Sequence, residues 1–378
     1  MRELKRRGWI VRLWSLATPR DPGPFADALD AVTDETVLVQ HHVTTGQRFG
    51  RLALDVVHRR AFQAHWFWSR RAARAAEVWL EDATDEPVFV EQLFMYSYVP
   101  ERLRSRIVLD TQNYETLRIR AIAQSEGGIG RRSVARLQVG AVERYENDVL
   151  RSVGTILAVS APEAEAFERI APGRVHIVPN GVDVDAITPS SIPPLSRGLL
   201  FLGSLTYSAN RDALRYFVEK IAPLLTDAQV SVTVVGSAPA KAVHETAARS
   251  PVPVKVAGYV ADLGPYLSSS RAMVVPLRHG AGTRLKILEA LAWGLPVVTT
   301  SIGGAGLNLV DGEHALIADD PEAFAAAVER LVSDDELWTR ISHAGRSLVE
   351  QSYGWSRIGR VLDSALRESP GVRPANSP

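Results

Sequence analysis

Short apolar strands alternate with helical segments along the whole chain, and this alternation limits the possible folds more than any other feature of the sequence. Alternating strands and helices predict doubly wound parallel sheets of the α/β class. The chain has 378 residues, which is long enough for two domains of ordinary size. The expected strands are Ile10–Leu16, Thr36–Gln40, Pro87–Val90, Ile107–Leu109, Thr155–Ser160, Val175–Val178, Leu199–Leu202, Val230–Val235, Pro253–Ala257, Ala272–Pro276, Val297–Thr300 and Ala315–Ile317.

The boundaries of the expected domains follow from a change in composition. Residues 188–198 are rich in proline and serine, which is typical of a linker. We therefore expect a Rossmann-like N-terminal domain over residues 1–187 and a second such domain over residues 199–355. A C-terminal helix over residues 356–370 and a disordered tail over residues 371–378 would complete the chain.

Composition excludes several classes of protein. The formal net charge is zero, so no overall field favours nucleic acid or an anionic membrane. Cysteine is absent, which excludes disulfides and thiolate metal sites. No apolar run approaches the roughly 20 residues of a membrane span, and the basic start lacks the long apolar region of a signal peptide. We expect a cytoplasmic protein whose contact with membranes is at most peripheral.

One connection in the second half has the features of an anion site. The strand Ala272–Pro276 enters a basic loop with two glycines, which leads directly into a helix expected over Thr283–Trp293. Free N–H groups at a helix start bind anions, and Arg278, Arg284 and Lys286 add positive charge. A plain connection into a helix with a charged surface is the alternative.

Glu289 lies about one helical turn after Lys286, so the two side chains can share a face of that helix. A carboxylate there could bind the hydroxyl groups of a ribose whose phosphates lie at the helix tip. No histidine spacing typical of a metal site occurs, and we expect no metal ligands.

Six segments, taken in order, make the chain recognisable. Together they resemble the GT-B glycosyltransferases, specifically family 4, the retaining nucleotide-sugar transferases. The resemblance spans nearly the whole chain and implies two Rossmann-like domains that face each other across a cleft, the first binding the acceptor. The segments are Ile177–Asp183 (IVPNGVD), Leu199–Phe217, Val232–Pro239, Val256–Leu267, Gly280–Thr300 (GAGTRLKILEALAWGLPVVTT) and Tyr353–Trp355.

The resemblance implies a retaining glycosyltransferase that needs neither a metal nor a cofactor and moves a sugar from a nucleoside-diphosphate sugar to an acceptor hydroxyl. Arg284, Lys286 and Arg278 would stabilise the charge that develops on the leaving diphosphate, and we name no general base. The expected donor-binding residues are Gly203, Ser204, Arg211, Tyr259, Val260, Gly282, Thr283 and Glu289.

Several of these residues also have purely structural interpretations. Arg211 could simply be exposed, Tyr259 could be a core residue, and Asn210 is typical of a helix N-cap. In the first domain, Asp110 and Asn113 follow a strand and would point toward a ligand, although turn and cap chemistry is the alternative.

Two departures from the resembled family stand out. The sequence begins with what resembles the end of the first helix and the second strand, so the family's first strand and its loop are missing. We favour a start codon placed too late over a tolerated truncation or a degraded enzyme. Ala281 also occupies the position where many members carry a glutamate that contacts the donor sugar, as in the subgroup that reads GxGTRxKxxEA.

Two other functions remain open. A non-catalytic GT-B partner subunit would bind nucleotide without transferring sugar, and the missing strand favours it. A nucleotide-sugar epimerase on the same fold would need acidic and histidine acid–base groups, and no such cluster is visible. The sequence does not fix the donor sugar, the base, the acceptor (a polysaccharide, glycolipid or natural product), the pathway or the oligomeric state, and a partner subunit is possible.

Overall fold

The chain folds into two compact units, of which the first contains residues 1–179 and the chain from residue 359 onward, and the second contains residues 180–358. The protein is seen in a computed structural model. The structure describes residues 1–17, 28–41, 45–83, 86–124, 129–189, 193–237, 241–280 and 282–370. Residues 190–192 of the predicted linker and the predicted tail over residues 371–378 therefore lie outside the described residues. The linker and domain limits stay predictions.

The first unit contains two parallel sheets. One has four strands in the order β3-β4-β5-β6, and the other pairs β1 with β2. Each predicted strand of this half is present, which confirms the α/β alternation. The strands are β1 (Arg12–Ala17), β2 (Glu35–Gln40), β3 (Val88–Glu91), β4 (Ile107–Asp110), β5 (Thr155–Ala158) and β6 (Val175–Ile177).

The sequence predicts a helical stretch from Arg51 to Arg74, but the structure divides this stretch among three helices. Arg59 has a φ of +52°, which a right-handed helix does not allow. Ser69 then starts a new helix, because its hydroxyl accepts the Ala72 N–H at 3.1 Å. The helices of this unit are α1 (Arg2–Arg6), α2 (Thr45–Val57), α3 (Phe62–Trp66), α4 (Arg70–Trp79), α5 (Glu115–Gln124), α6 (Ile129–Ser152) and α7 (Ala161–Glu168), with 3₁₀ turns at Leu93–Tyr98 and Glu101–Arg106.

Side chains, rather than backbone hydrogen bonds, connect the two sheets of the first unit. Among the described strands, β1 pairs only with β2, and β3 pairs only with β4. Arg12 at the start of β1 forms an ion pair with Glu86, which lies just before β3. The Trp14 and Tyr98 rings pack with their centroids 5.2 Å apart. β1 and β3 therefore each have one side whose backbone groups are not paired with a described strand.

The second unit is built on one six-stranded parallel sheet with the order β12-β11-β10-β7-β8-β9. The chain runs outward from β7 through β8 and β9, and then returns to the other side of β7 as β10. This reversal makes the sheet doubly wound, as predicted, and places the switch point between β7 and β10. The strands are β7 (Gly198–Leu202), β8 (Ser231–Val235), β9 (Val254–Gly258), β10 (Ala272–Val275), β11 (Val297–Thr299) and β12 (Leu316–Ile317).

Helices cover the second sheet, and all four residues of β10 are buried. This burial explains why β10 is a continuous apolar run rather than an alternating one. The helices are α8 (Ser208–Tyr216), which continues into a π-helical turn at Phe217–Ile221 and a 3₁₀ turn at Ala222–Leu224, followed by α9 (Lys241–Ala247), α10 (Gly264–Ser269), α11 (Leu285–Ala292), α12 (Pro321–Ser333) and α13 (Asp335–Ser352).

The last helix, α14 (Trp355–Glu368), ends in the first unit. Its residues Ala365 and Leu366 are buried in one cluster with Val108 and Leu157 of the first unit's four-stranded sheet. The C-terminal part of α14 is thereby packed into the core of the first unit.

Candidate functional site

The strand order of the second unit brings two loops together. β7 and β10 are neighbours, although β8 and β9 lie between them in sequence. Because the strands are parallel, the loops that follow β7 and β10 leave the sheet at the same edge, next to the switch point. Open parallel sheets bind ligands at this place. Gly203 and Ser204 follow β7, and the glycine loop before α11 follows β10.

Two glycines let the backbone come close at this edge. A Cβ atom on Gly236, directly after β8, would overlap the carbonyl oxygen of Gly203. A Cβ atom on Gly203 would lie 2.7 Å from Asn210 Nδ2 and 3.0 Å from Lys286 Nζ. Both separations are at or below the closest approach of ordinary side chains. Glycine at position 203 therefore leaves the Lys286 ammonium group uncovered on this side.

Lys286 is held by the protein at two of its three donor positions. Its ammonium group donates to the Leu202 carbonyl oxygen at 2.7 Å and to Asn210 Oδ1 at 3.1 Å. Burial, with a smaller contribution from the Arg284 charge, lowers the pKa of Lys286 to about 8. An ammonium group has three N–H donors, so one remains for a ligand.

Asn210 bridges the two loops, and its predicted role as a helix N-cap is wrong. Tyr207 occupies the N-cap position of α8, and Asn210 lies inside the first turn. The Asn210 amide donates to the Ser204 carbonyl oxygen at 2.9 Å while its oxygen accepts from Lys286. The loop after β7 and the helix after β10 are thereby fixed to each other.

The Arg284 side chain lies against the backbone of the glycine loop. Gly280 has a φ of +130° and Gly282 a φ of +85°, conformations that favour glycine. A Cβ atom on Gly280 would lie 2.8 Å from Arg284 Nη2 and 3.5 Å from the Tyr207 hydroxyl oxygen. The Arg284 side chain is buried, and burial lowers its pKa. The helix begins at Leu285, two residues later than predicted.

Arg278 lies at the rim of the loop and is neutralised by Asp212. Its Nη2 and Nε donate to the Asp212 carboxylate at 2.7 and 3.1 Å, and the Arg215 Nη2 donates to the same carboxylate at 2.7 Å. Burial alone would raise the pKa of Asp212, but the Arg278 hydrogen bonds and charge outweigh it and lower the pKa below its usual value. Asp212 also lies 3.6 Å from His279 Nδ1.

Arg211 and Ser204 are engaged within the loop that follows β7. Arg211 Nη1 donates to the carbonyl oxygens of Leu205 at 2.8 Å and Thr206 at 2.7 Å. The Ser204 hydroxyl lies 2.8 Å from the hydroxyl of Ser237 in the loop after β8. Arg211 therefore holds the turn in shape, and its side chain is not simply exposed without contacts.

The remaining predicted donor residues surround this centre less closely. Glu289 is partly buried on α11, burial raises its pKa, and its carboxylate makes no hydrogen bond to the described residues. The Thr283 hydroxyl oxygen is buried and has no hydrogen-bond partner within the described part of the chain. Tyr259 is 77% exposed, so the interpretation as a core tyrosine was wrong, whereas Val260 packs against the core.

The structure thus brings Gly203, Lys286 and Arg284 to one edge but does not place Tyr259 or Glu289 in contact with them. Ala281 lies outside the described residues. Asp212 is not among the site residues predicted from the sequence, because its partner Arg278 is 66 residues away along the chain. The functional roles of all these residues stay predictions.

In the first unit, Asp110 and Asn113 lie at the carboxyl end of β4. Burial raises the pKa of Asp110 to about 6, although a hydrogen bond from Gln112 opposes the shift. The Gln112 amide donates to Asp110 Oδ2 at 2.6 Å. Asn113 lines a cavity of about 440 Å³ at this edge of the sheet.

Neither a metal-binding cluster nor a membrane-spanning helix occurs among the described residues. No group of three or more histidine, aspartate or glutamate side chains there could hold a metal ion. No helix in that part of the chain has the length and apolar character needed to cross a membrane.

Part of the second half of the chain matches a family model. Residues 196–334 match the family model described as Glycosyl transferases group 1. D-inositol 3-phosphate glycosyltransferase of Xylanimonas cellulosilytica is 25% identical over 259 residues, which cover 61% of this chain and 60% of that protein. The chain spans 60% or less of the length of the curated relatives it matches.

Solved structures resemble the chain over nearly its whole length. Sucrose-phosphate synthase from Thermosynechococcus elongatus superposes with a TM-score of 0.68 at 18% identity, covering 97% of this chain and 90% of that one. HepE of Anabaena in complex with UDP and glucose has a TM-score of 0.58 at 16% identity, covering 93% of this chain and 91% of that one. These likenesses confirm the predicted GT-B fold class.

Proposed function

We propose, from the match of residues 196–334 to the family model described as Glycosyl transferases group 1, that the protein transfers a sugar from a nucleoside-diphosphate sugar to an acceptor hydroxyl. The transfer retains the anomeric configuration and needs no metal ion. The observation that carries the proposal is the Lys286 ammonium group, which lies beside Gly203 at the switch point with one donor left for a ligand.

Lys286 and Arg284 supply the electrostatic part of the mechanism. The acceptor oxygen bonds to the anomeric carbon while the bond from that carbon to the diphosphate oxygen breaks. The acceptor proton passes to the leaving diphosphate, so no protein base is required. Negative charge develops on that diphosphate, and fixed cations in a partly dehydrated site stabilise it. The N–H groups of Gly282 and Thr283, in the loop just before α11, act in the same direction.

Arg278 has a different role in this proposal. Because Asp212 accepts two of its hydrogen bonds, most of its charge is compensated before any ligand binds. We assign to the Arg278–Asp212 pair the positioning of the loop that carries Gly280 and Gly282. Through the loop it supports the leaving group without needing to contact it.

The nucleoside occupies the adjacent surface. Glu289 accepts hydrogen bonds from the ribose hydroxyls, and its partial burial makes each such bond more valuable. The base lies along Tyr259 and Val260 after β9, where an exposed ring is available for stacking. Ser204 and Arg211 shape the loop under the diphosphate.

The UDP and glucose named with the HepE structure make UDP-glucose the first donor to test. The Xylanimonas relative is named for a phosphorylated inositol acceptor, which makes the charge of the acceptor a second question. That question is decided by residues of the first unit.

Calorimetric titration of the full chain with UDP, GDP, dTDP and ADP, with and without EDTA, tests the donor site. We expect one nucleotide to bind in the micromolar range, with unchanged affinity in EDTA, and to stabilise the fold by about 2.7 kcal/mol at 100 times its Kd. A folded protein that binds none of the four would contradict the proposal. Release of UDP from UDP-glucose in the presence of acceptor mixtures then tests transfer itself.

The non-catalytic partner subunit differs from the proposed transferase in one measurable respect. A partner subunit would bind the nucleotide with the same residues and release no UDP from the donor under any acceptor mixture. Nucleotide affinity together with the transfer assay therefore separates the two candidates.

A further inference from the structure

The cavity of about 440 Å³ in the first unit lies where two neighbouring strands end. β3 leads into Gln92 and Leu93, and β4 leads into residues 111–113. Open parallel sheets bind ligands at the carboxyl ends of their strands, and a volume of this size suits one or two sugar rings. The position and size of the cavity are therefore those of a small-molecule site.

Aromatic rings form one wall of the cavity. The rings of Phe62 and Trp66 on α3 meet edge to face with centroids 5.6 Å apart. The N-terminus of α3 is fixed, because Gln138 accepts the Phe62 N–H at 3.1 Å. The Phe67 side chain remains 41% exposed. Aromatic faces carry negative quadrupole charge and pack against the weakly positive C–H groups on one face of a sugar ring.

The side-chain amides of Gln92, Gln112 and Asn113 also line the cavity and are called its amide wall. Gln92 has a φ of +71° and Gln112 a φ of +29°, so both turns hold non-glycine residues in a left-handed conformation. Such strain concentrates at binding sites. The Gln112 amide nitrogen is occupied by Asp110, which leaves its oxygen as an acceptor. Amides both donate and accept hydrogen bonds, as a ring of hydroxyl groups requires.

The charges around the cavity disfavour an anion. Arg118 is the cation among the described lining residues, and its Nε and Nη2 both contact Glu115 Oε2 at 2.7 Å. Asp110 lies behind Gln112, and Glu91 acts on the same carboxylate with negative charge. Asp110 and Glu91 do not line the cavity, so among the described lining residues a phosphate group would meet one cation, Arg118, which Glu115 already compensates.

We propose that this cavity binds the acceptor as an uncharged, hydroxylated ring, with one face on the aromatic wall and its hydroxyls on the amide wall. The identification of this ligand as the acceptor rests on the proposed function. The binding itself depends only on residues of the first unit. A sugar bearing a phosphate or carboxylate binds more weakly, because Glu115 already compensates the Arg118 charge.

Ligand-observed NMR on the full chain, with methyl α-glucopyranoside and glucose 6-phosphate as matched probes, tests the preference. We expect the neutral probe to bind with a millimolar Kd, at least about tenfold tighter than the phosphate. Phe67→Ala should weaken the neutral probe about fivefold through loss of ring contact. Phe89→Ala is the matched control, because Phe89 is 39% exposed in the same unit but does not line the cavity; it should leave binding unchanged.

A gain of function provides the sharper test. Glu115→Gln removes the charge that compensates Arg118, so glucose 6-phosphate should bind about tenfold tighter, as expected for one charge-assisted hydrogen bond. Glu143→Gln is its control, because it breaks the comparable Arg120–Glu143 pair, whose contact is 2.7 Å, elsewhere in the unit. Equal or tighter binding of the phosphate to the unaltered protein, or the same response to Phe67→Ala and Phe89→Ala, would overturn the inference.

UDP titrations of the same samples distinguish this failure from failure of the proposed function. UDP binding without the neutral-ring preference overturns the cavity inference and leaves the donor site standing. Ring binding without any nucleotide affinity supports the cavity and overturns the proposed transferase.

Discussion

Replacing Lys286 with methionine removes the charge that the proposed diphosphate site depends on. Methionine retains the length of the apolar stem, which packs near the Phe201 ring with Nζ 5.7 Å from the ring centroid. The substitution removes the N–H group left for a ligand together with the two donated to Leu202 and Asn210. Folding should survive, because the change also removes the cost of keeping a charge partly buried.

The expected loss of affinity follows from the single hydrogen bond to the ligand. A hydrogen bond between charged groups contributes about 1.5–3 kcal/mol, which corresponds to a roughly 10- to 150-fold increase in the Kd for UDP. Uridine has no phosphate, so its affinity should not change. Lys241→Met is the matched control, because the Lys241 side chain is 91% exposed and pairs only with Glu245 on α9 among the described residues.

The pH dependence supplies an independent check on the same residue. Because the pKa of Lys286 is lowered to about 8, the ammonium form dominates below that value and is lost above it. UDP affinity should therefore be level below about pH 8 and fall about tenfold per pH unit above it, whereas the methionine variant should show no such fall.

Calorimetric titrations of UDP into the unaltered chain, Lys286→Met and Lys241→Met, at about pH 7 and about pH 9, measure all three effects. The reasoning is refuted if Lys286→Met binds UDP within about threefold of the unaltered chain at the lower pH. It is also refuted if both variants show the same fall in affinity between the two values, since the titrating group would then lie elsewhere.

Three further predictions concern the donor site and the stability of the two units. Glu289→Gln should lower the affinity for UDP about five- to tenfold through loss of charged hydrogen bonds. The ligand 2′,3′-dideoxy-UDP should bind both proteins equally. Equal losses of affinity for the two ligands in titration would rule out contact with the ribose. Gly236→Ala should lower the free energy of unfolding in urea by about 1–3 kcal/mol, because its Cβ atom meets the Gly203 backbone. Gly140→Ala on the exposed side of α6 should raise the free energy of unfolding slightly. Unchanged stability of the Gly236→Ala variant would show that the strands can separate. Backbone amides of β1 and β2, which contain no fully buried residue, should exchange hydrogen on the order of 100-fold faster than those of β5, which is buried throughout. Equal exchange rates of the two regions, measured by mass spectrometry, would contradict this prediction.

The strands could be predicted because parallel sheets covered on both faces leave a plain trace in the sequence. The segments Thr155–Ala158 and Ala272–Val275 are buried at every position, so each is a continuous apolar run bounded by turn residues. The position of the glycine loop follows from the same trace, because a loop between such a strand and a helix must lie at the sheet edge.

The side-chain contacts could not be predicted, because they join residues that are distant in sequence. Asn210 reads locally as a cap, yet its amide links Ser204 to Lys286, which lies 76 residues away. The break in the predicted helix after Val57 depends on the backbone of Arg59, a residue type with no local preference for a positive φ. Local pattern therefore fixes where the chain turns but not what the side chains meet.

The three cations that the sequence groups within nine positions differ in charge environment, and we propose their roles from this difference. Arg278 pairs with a carboxylate, so we expect a ligand to gain less from it than from Lys286 and its main effect to be on the loop. Lys286 is held only by neutral oxygens, which orient the ammonium group without compensating its charge. The lowered pKa of Lys286 shows that this charge is costly in the empty site. A diphosphate that relieves this cost gains more affinity than one meeting a solvated lysine, and the gain increases as negative charge builds on the leaving group.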